Sequence, residues 1–458
     1  MSHHELRGTP PLRAAARVSA GAPAGFSARA LALDATEAVL LHRRPLDDAF
    51  EMHPVLPALD GRDRAFAFNL ASTVLRRLGQ IDALIDICLA RPLPDRPASV
   101  RNLLRLGVAQ LVFLRTPAHA AVHTTVDLAR RRRAGTHASL INAVLRRLAN
   151  EGAHLANAQD AARLNTPDWL WHSWTAAYGE AVARSIAEAH LAEPPLDLTV
   201  RSTADLQRLT DALGARRLPT GTLRLWHAGP ITGLPGHDEG AWWVQDAAAA
   251  LPAKLLGDVR GRRVLDLCAA PGGKTAQLAT AGAHVVAVDR SPTRMRRVED
   301  NLRRLGLRAE TVVADITTWR PSAPADRVLL DVPCSATGTI RRHPDVMRLK
   351  TETEISELTK LQARLLAAAA EMLAPEGILV YCVCSLQPEE GAHLVDSSIT
   401  QGLPLRRAPL GESELRGFEQ FLTSVGDLRT LPSQMADCGG LDGFYAARLR
   451  RSANARDV

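Results

Sequence analysis

Apolar residues recur at three- and four-residue spacing over 31–41, 64–79, 81–90 and 99–113, with Pro92, Pro94 and Pro97 interrupting the pattern before the last of these. That spacing gathers apolar side chains on one helical face, so helices are predicted there. Two more helices are predicted, over 122–133, which ends in Arg130, Arg131, Arg132 and Arg133, and over 139–148, which carries Arg146 and Arg147. The stretch 29–150 therefore reads as an all-α domain. From 160 to 243 the periods mix: Thr166-Pro167-Asp168 opens a helix over 169–178, strands are predicted over 196–201 and 222–226, and a helix over 204–213. This is a small α+β connector. Beyond 244 the strands 263–267, 284–288, 309–313, 327–331 and 377–383 alternate with helices 274–281, 293–305 and 357–373. Such alternation implies a parallel, doubly wound α/β sheet, which binds ligands at the carboxyl ends of its strands. Residues 1–28 are expected to form a flexible leader, 244–450 the α/β domain and 451–458 a tail.

Composition adds limits. At 458 residues, two or three domains are expected. Aromatic residues make up only 4%, so Ala, Leu and Val must fill the cores. The formal charge of +7 suits a nucleic-acid partner without requiring one. Nearly every cation is arginine; lysine occurs only at Lys254, Lys274, Lys350 and Lys360. Six cysteines in a chain this long are too few for a disulfide framework. There is no apolar run long enough to span a membrane and no apolar secretory core near the start, so a cytoplasmic location is expected.

Two motif groups fall at predicted strand ends. In the first, the strand 263–267 runs into Cys268-Ala269-Ala270-Pro271-Gly272-Gly273-Lys274-Thr275 and a helix start. Adjacent glycines let backbone approach a ligand closely and leave N–H groups free to bind it. Asp289 ends the next strand, where a carboxylate can accept both ribose hydroxyls of an adenosine, and Asp315 ends the third, toward the adenine amino group. The loop is neither a dinucleotide fingerprint nor a phosphate-binding loop of nucleoside triphosphatases. In the second group, Asp331-Val332-Pro333-Cys334 follows the fourth strand, and Cys382-Val383-Cys384-Ser385-Leu386-Gln387-Pro388-Glu389-Glu390 spans the end of the fifth. A parallel sheet brings both ends to the cofactor rim.

The octet from Cys268 to Thr275 resembles the S-adenosylmethionine loop of the RNA cytosine-C5 methyltransferase family. C5 of cytosine is a poor nucleophile; a thiolate added to C6 turns the ring into an enamine whose C5 can attack a sulfonium methyl group. Asp331 is a candidate to assist at N3, and a base must then remove the C5 proton. Asp331-Val332-Pro333-Cys334 resembles that family's Asp-Ala-Pro-Cys, and Val383-Cys384-Ser385 onward its Thr-Cys-Ser-x-x-Pro-Glu-Glu, with valine for threonine. By resemblance the nucleophile is Cys384 and the release cysteine Cys334. Cys382 shares a strand face with Cys384, which suggests either a core filler or a resolving thiol that confers peroxide sensitivity.

Most of the chain resembles the subfamily acting on small-subunit ribosomal RNA, the RsmB or Sun type. Leu140 to Arg147 is similar to the closing helix of a NusB-type RNA-binding domain, Trp243-Val244-Gln245-Asp246 to the start of the catalytic domain, and Leu441 to Ala446 to its last strand. The resemblance implies a Rossmann-like class I methyltransferase domain preceded by a NusB-like all-α domain and the small connector. The implied cofactor is S-adenosyl-L-methionine. It would contact 268–274 (Cys268, Ala269, Ala270, Pro271, Gly272, Gly273 and Lys274), Asp289, Asp315 and Asp331. The implied partner is 16S ribosomal RNA, free or in an early assembly intermediate, with no membrane and no metal, and the chain is expected to act as a monomer. RNA contacts are expected from Arg341, Arg342 and His343 in a basic loop on the catalytic rim, and from Arg130 to Arg133, Arg146 and Arg147. The alternatives are the same chemistry on tRNA, or a non-catalytic antitermination factor that kept the fold.

Overall fold

The structure, a computed structural model, describes residues 24–93, 98–132, 134–411, 414 and 418–452; Arg133, Pro94 and Pro97 lie outside this set. Two compact units result, one reaching to Asn165 and one beginning at Thr166. The first is helical throughout. Ala24–His42 begins inside the stretch read as a leader, and Gly61–Arg76, Leu78–Cys88, Ala98–Val108, Ala118–Arg131 and Ala138–Asn157 follow. Its boundary lies beyond the expected 150 because Ala161–Asn165 packs back on it. Asn165 Nδ2 donates to Gln80 Oε1 (3.0 Å), and Gln80 N donates to Asn165 Oδ1 (3.1 Å), both in the interior. The helix expected over 99–113 widens into a π-helix at Ala109–Phe113, where buried Gln110 accepts from Arg29 Nε at 2.7 Å. Bulges of this kind interrupt the hydrogen-bond ladder without breaking the helix.

In the second unit a small antiparallel sheet precedes a large one. The strands β1 (Leu196–Val200), β2 (Arg216–Arg217), β3 (Leu223–Leu225) and β4 (Trp242–Val244) pair in the order β2-β3-β1-β4. Arg224 on β3 is fully buried. It donates to both oxygens of Asp197 on β1 at 2.6 Å, and to the carbonyls of Cys438 (2.8 Å) and Gly440 (2.5 Å). One guanidinium thus ties the small sheet to the chain that enters the last strand, so the connector and the catalytic sheet form one unit.

The large sheet contains β5 (Arg263–Leu267), β6 (His284–Asp289), β7 (Glu310–Val313), β8 (Ala325–Asp331), β9 (Leu373–Val383), β10 (Leu405–Arg407), β11 (Leu428–Thr430) and β12 (Phe444–Arg451). Its order is β10-β12-β9-β8-β5-β6-β7, with β11 on β12. The strands β9, β8, β5, β6 and β7 are parallel, and β12 is antiparallel to β9. Alternate residues fill two cores: Leu265, Val328, Leu330, Tyr381 and Val383 face the helix Glu352–Met372, while Val264, Leu329, Val380 and Cys382 face the opposite layer. The helix Glu352–Met372 starts earlier than its apolar periodicity because Thr351 N–H donates to Glu354 Oε2 at 2.8 Å, half of a capping box. The short β10 and β11, the helix Ala392–Thr400 and the helix Glu180–Ala189 had too few periodic residues to be anticipated.

Asp266 sits in the middle of this sheet. Its Oδ2 accepts from Thr275 Oγ1 at 2.6 Å, joining β5 to the following helix, while its Oδ1 has no hydrogen-bond partner among the described residues. Burial pushes its carboxyl from 3.8 up to about 7. A carboxyl whose folded pKa is raised favours the fold while protonated, so its contribution is full below 3.8 and declines as pH rises to about 7. Asp266→Asn keeps an acceptor for Thr275 and cannot ionise. Urea denaturation across that interval should show the variant gaining stability over the parent as pH rises, with no such trend if the carboxyl is unperturbed. Asp197→Ala leaves Arg224 buried and unpaired, and should lower the unfolding free energy of this unit by about 3–5 kcal/mol.

Candidate active site

The parallel register lines up the chemistry. Asp331 is paired with Cys382, so Cys334 and Cys384 each lie just past their strand ends on one rim. Two backbone bonds then run the loops side by side, Val332 N–H to Cys382 O (3.2 Å) and Gly338 N–H to Cys384 O (3.0 Å). The two sulfurs stand 3.5 Å apart. Hydrogen bonding with Cys384, then burial, push the Cys334 thiol well above its ordinary range. Cys382 is fully buried on the opposite face from Tyr381 and Val383, and its Sγ contacts Asp331 Oδ1 at 3.6 Å. The sulfur facing Cys384 is therefore that of Cys334. Burial raises the Cys382 thiol strongly, and its sulfur contacts Asp331 in the core against which Cys384 packs.

Lys274 reaches across from the β5 loop. Its Nζ donates to Asp331 Oδ2 at 2.7 Å and lies 4.9 Å from the centre of the Phe444 ring. Burial opposes its charge, but Asp331 outweighs that and holds the ammonium pKa above its ordinary value. The β5 loop itself turns through Cys268 (φ 61°) and Gly272 (φ 97°), around a cis Ala270–Pro271 bond. At Gly272 a Cβ would meet Val298 Cγ1 at 3.0 Å, so this turn accepts only glycine without displacing the helix Pro292–Leu305. Cys268 is half-buried, and burial followed by the Asp289 charge pushes its thiol up to about 12.

Two cavities of about 400 Å³ flank the sulfurs. Asp289, Asp315, Asp331, Cys268, Pro333 and Cys334 line the first. There Asp289 Oδ2 accepts from Ala270 N–H at 3.2 Å and Oδ1 from Ser291 N–H at 2.9 Å. Asp315 is exposed, and Thr317, whose hydroxyl and N–H both donate to it, holds its carboxyl below the usual range. A cavity with a pair of carboxylates at neighbouring strand ends and a glycine cradle beside it fits the adenosine portion of S-adenosylmethionine. Lys274, Gly272, Gly273, Arg342, Arg304, Trp243 and Phe444 line the second. Ala270, Pro271, Asp331 and Cys384 border both. Cys384 thus stands at the seam between an acidic and a basic chamber. Ala269, Gly272, Gly273 and Lys274, expected at the cofactor, line the second chamber.

The basic loop divides its labour. Arg341 is 1% exposed and bonded to Asp246 Oδ2 (2.7 Å) and Gly439 O (3.1 Å), so it supports the fold and does not reach a surface phosphate, contrary to the sequence expectation. Arg342 is one-third exposed and borders the basic chamber, fixed by Asp442 Oδ2 at 2.6 Å, with His343 Nε2 3.4 Å away. Burial and the nearby Asp442 raise Asp246 to about 6. The roles of Asp246 and Asp442 escaped sequence reading because each acts through an arginine from elsewhere in the chain.

In the helical unit, Arg130 and Arg146 are exposed and border an open groove between Ala118–Arg131 and Ala138–Asn157, with His119, His123, Asn142 and Asn150. Arg131 pairs with Asp127 (3.0 Å), Arg132 with Asp34 (2.8 Å) and Arg147 with Glu151 (3.0 Å). Among the described residues, no group of three or more His, Cys, Asp and Glu is arranged to hold a metal, and no helix is long and apolar enough to cross a membrane.

Comparison with known proteins agrees with this architecture. The profile of the NusB family matches residues 27–150, and that of the 16S rRNA methyltransferase RsmB/F family matches residues 253–450. Ribosomal RNA small subunit methyltransferase B of Escherichia fergusonii is 38% identical over 437 residues, covering 92% of this chain and 98% of the relative. The protein of the same name from Escherichia coli O139:H28 matches equally. Among solved structures, PH0851 superposes with a TM-score of 0.71 at 22% identity, over 94% of this chain and 99% of its own. NSun6 from Pyrococcus horikoshii, solved with SFG, superposes at 0.53 and 19% identity, over 63% and 98%. With nearly the whole length of a curated relative matched at this identity, the chain belongs to the RsmB/F family of S-adenosylmethionine-dependent 16S rRNA methyltransferases.

Proposed function

We propose that this protein methylates C5 of a cytosine in 16S ribosomal RNA, with Cys384 as covalent nucleophile and Cys334 as the base that releases the product. The observation that carries this is the 3.5 Å pair of sulfurs at the border of an acidic and a basic chamber. Asp289 and Asp315 hold the donor's adenosine in the first chamber. S-adenosylmethionine, when bound, supplies an electrophilic methyl group. Arg342 and the Lys274–Asp331 pair border the second chamber, where a flipped cytosine and its phosphate fit.

The Cys384 thiolate gives its electron pair to C6. The C5–C6 π pair shifts to C4–C5 and the C4–N3 π pair to N3, whose developing charge accepts a hydrogen bond from the Lys274 ammonium of the Asp331–Lys274 pair, which keeps its proton. The resulting enamine carbon C5 takes the methyl group. Cys334, having given its thiol proton to water, removes the C5 proton as thiolate, the C–H pair restores the C5–C6 double bond, and Cys384 leaves as thiolate. Val383, where the family motif has threonine, is buried in the sheet core and offers no hydroxyl beside Cys384. In the helical unit, the groove beside Arg130 and Arg146 is the surface best suited to phosphates of the same RNA.

Cys334→Ala should accumulate a denaturation-resistant RNA adduct, and Cys384→Ala should form none; the opposite pattern reverses the two roles. Bisulfite sequencing of RNA from cells with and without the protein should lose one 5-methylcytosine in 16S rRNA; a loss confined to tRNA refutes the substrate, and no loss refutes the reaction. Asp289→Ala removes the acceptor for a ribose and for Ala270 N–H, and calorimetry should find S-adenosylmethionine affinity weakened roughly tenfold or more.

A further inference from the structure

Each of the two cysteines is followed by a serine, and both serines are fully buried. Their hydroxyls converge on one atom: Ser335 Oγ and Ser385 Oγ each donate to Glu390 Oε2 at 2.5 Å, and they lie 3.0 Å from one another. The other carboxylate oxygen, Oε1, accepts from Ser335 N–H at 2.8 Å and from Gln362 Nε2 at 2.9 Å. Gln362 also donates to Pro333 O at 3.0 Å, one residue before Cys334. Glu390 is itself fully buried, and among the described residues no Lys, Arg or His forms an ion pair with it.

A carboxylate buried without a counter-ion costs several kcal/mol unless hydrogen bonds replace its water. Four donors do so here, and a carboxylate is the side chain with about four acceptor sites to receive them. An apolar residue would fill the same volume with no such cost. What the carboxylate adds is a bond to each of two loops that the chain separates by fifty residues. We propose that Glu390 is a positioning residue that staples the loop of Cys334 to the loop of Cys384, setting the spacing of the sulfurs and so the reach of Cys334 to the C5 proton. The release role rests on the reaction proposed above; the staple does not. Its charge acts in the same direction as Cys384 and burial, the larger causes, in keeping Cys334 protonated.

The sulfur spacing can be read without any methylation. Diamide takes two electrons and two protons from a pair of thiols, becoming a hydrazine and leaving a disulfide, at a rate set by how often the sulfurs meet. In the full chain, Glu390→Ala should slow Cys334–Cys384 cross-linking, followed by peptide mass spectrometry, roughly tenfold. Glu390→Gln should recover most of the rate, since its carbonyl still serves Ser335 N–H and Gln362 while the serine hydroxyls reverse to accept. In RNA assays, Glu390→Ala should lower kcat with little change in KM and raise the fraction of RNA held as adduct. Should Glu390→Ala fail to fold, the Ser335→Ala/Ser385→Ala double variant reads the same distance with the carboxylate kept. Cross-linking at the parent's rate in Glu390→Ala, or in the double variant, overturns the staple. Slowed cross-linking in a chain that methylates no RNA upholds the staple and refutes the reaction.

Discussion

The pairing of β8 with β9, Asp331 opposite Cys382, is the constraint on which the site depends. Parallel strands buried on both faces have no freedom to slip, because a shift of one residue would exchange the two cores, turning Leu329 and Val380 toward the face occupied by Leu330 and Tyr381. That register carries both cysteines past the sheet together. Lys274, on the helix that follows β5, closes on Asp331 at the end of β8, and β12 supplies Phe444 beside it.

Around this frame the protein holds three arginine–aspartate pairs whose carboxylates are buried. Arg224 with Asp197, Arg341 with Asp246, and Arg342 with Asp442 each span elements far apart in the chain. Pairs of this kind add little net stability over apolar packing, but they penalise any other arrangement. Here all of them converge on the segment from Cys438 to Asp442, which leads into β12. The basic chamber is therefore built on an ionic scaffold, and only Arg342 of these three arginines borders it.

Much of this was legible in the sequence, for physical reasons that differ by region. The strand over 263–267 and the helix beginning at Gly273 declared themselves because an apolar run, a glycine turn and a helical period succeed one another without ambiguity. Asp289 and Asp331 end β6 and β8, and Asp315 lies two residues past β7, so the alternation of strands and helices placed all three on one rim. Arg341 misled, since a basic loop on a catalytic rim looks solvent-facing until Asp246 and Asp442 are known to stand opposite it. Glu390 was visible in its motif, yet its partners are serines that no local pattern distinguishes. The domain boundary shifted because Gln80 and Asn165 recognise each other across more than eighty residues.

The raised thiol of Cys334 has a consequence for timing. Its largest cause is hydrogen bonding with the neighbouring Cys384, ahead of burial, and the Glu390 charge adds to both. In the reaction proposed above, bonding Cys384 to carbon would remove that largest cause and leave burial and Glu390 to raise the second sulfur. On the proposed roles, the thiol that ends the cycle is therefore held back most strongly before the thiol that begins it has been used.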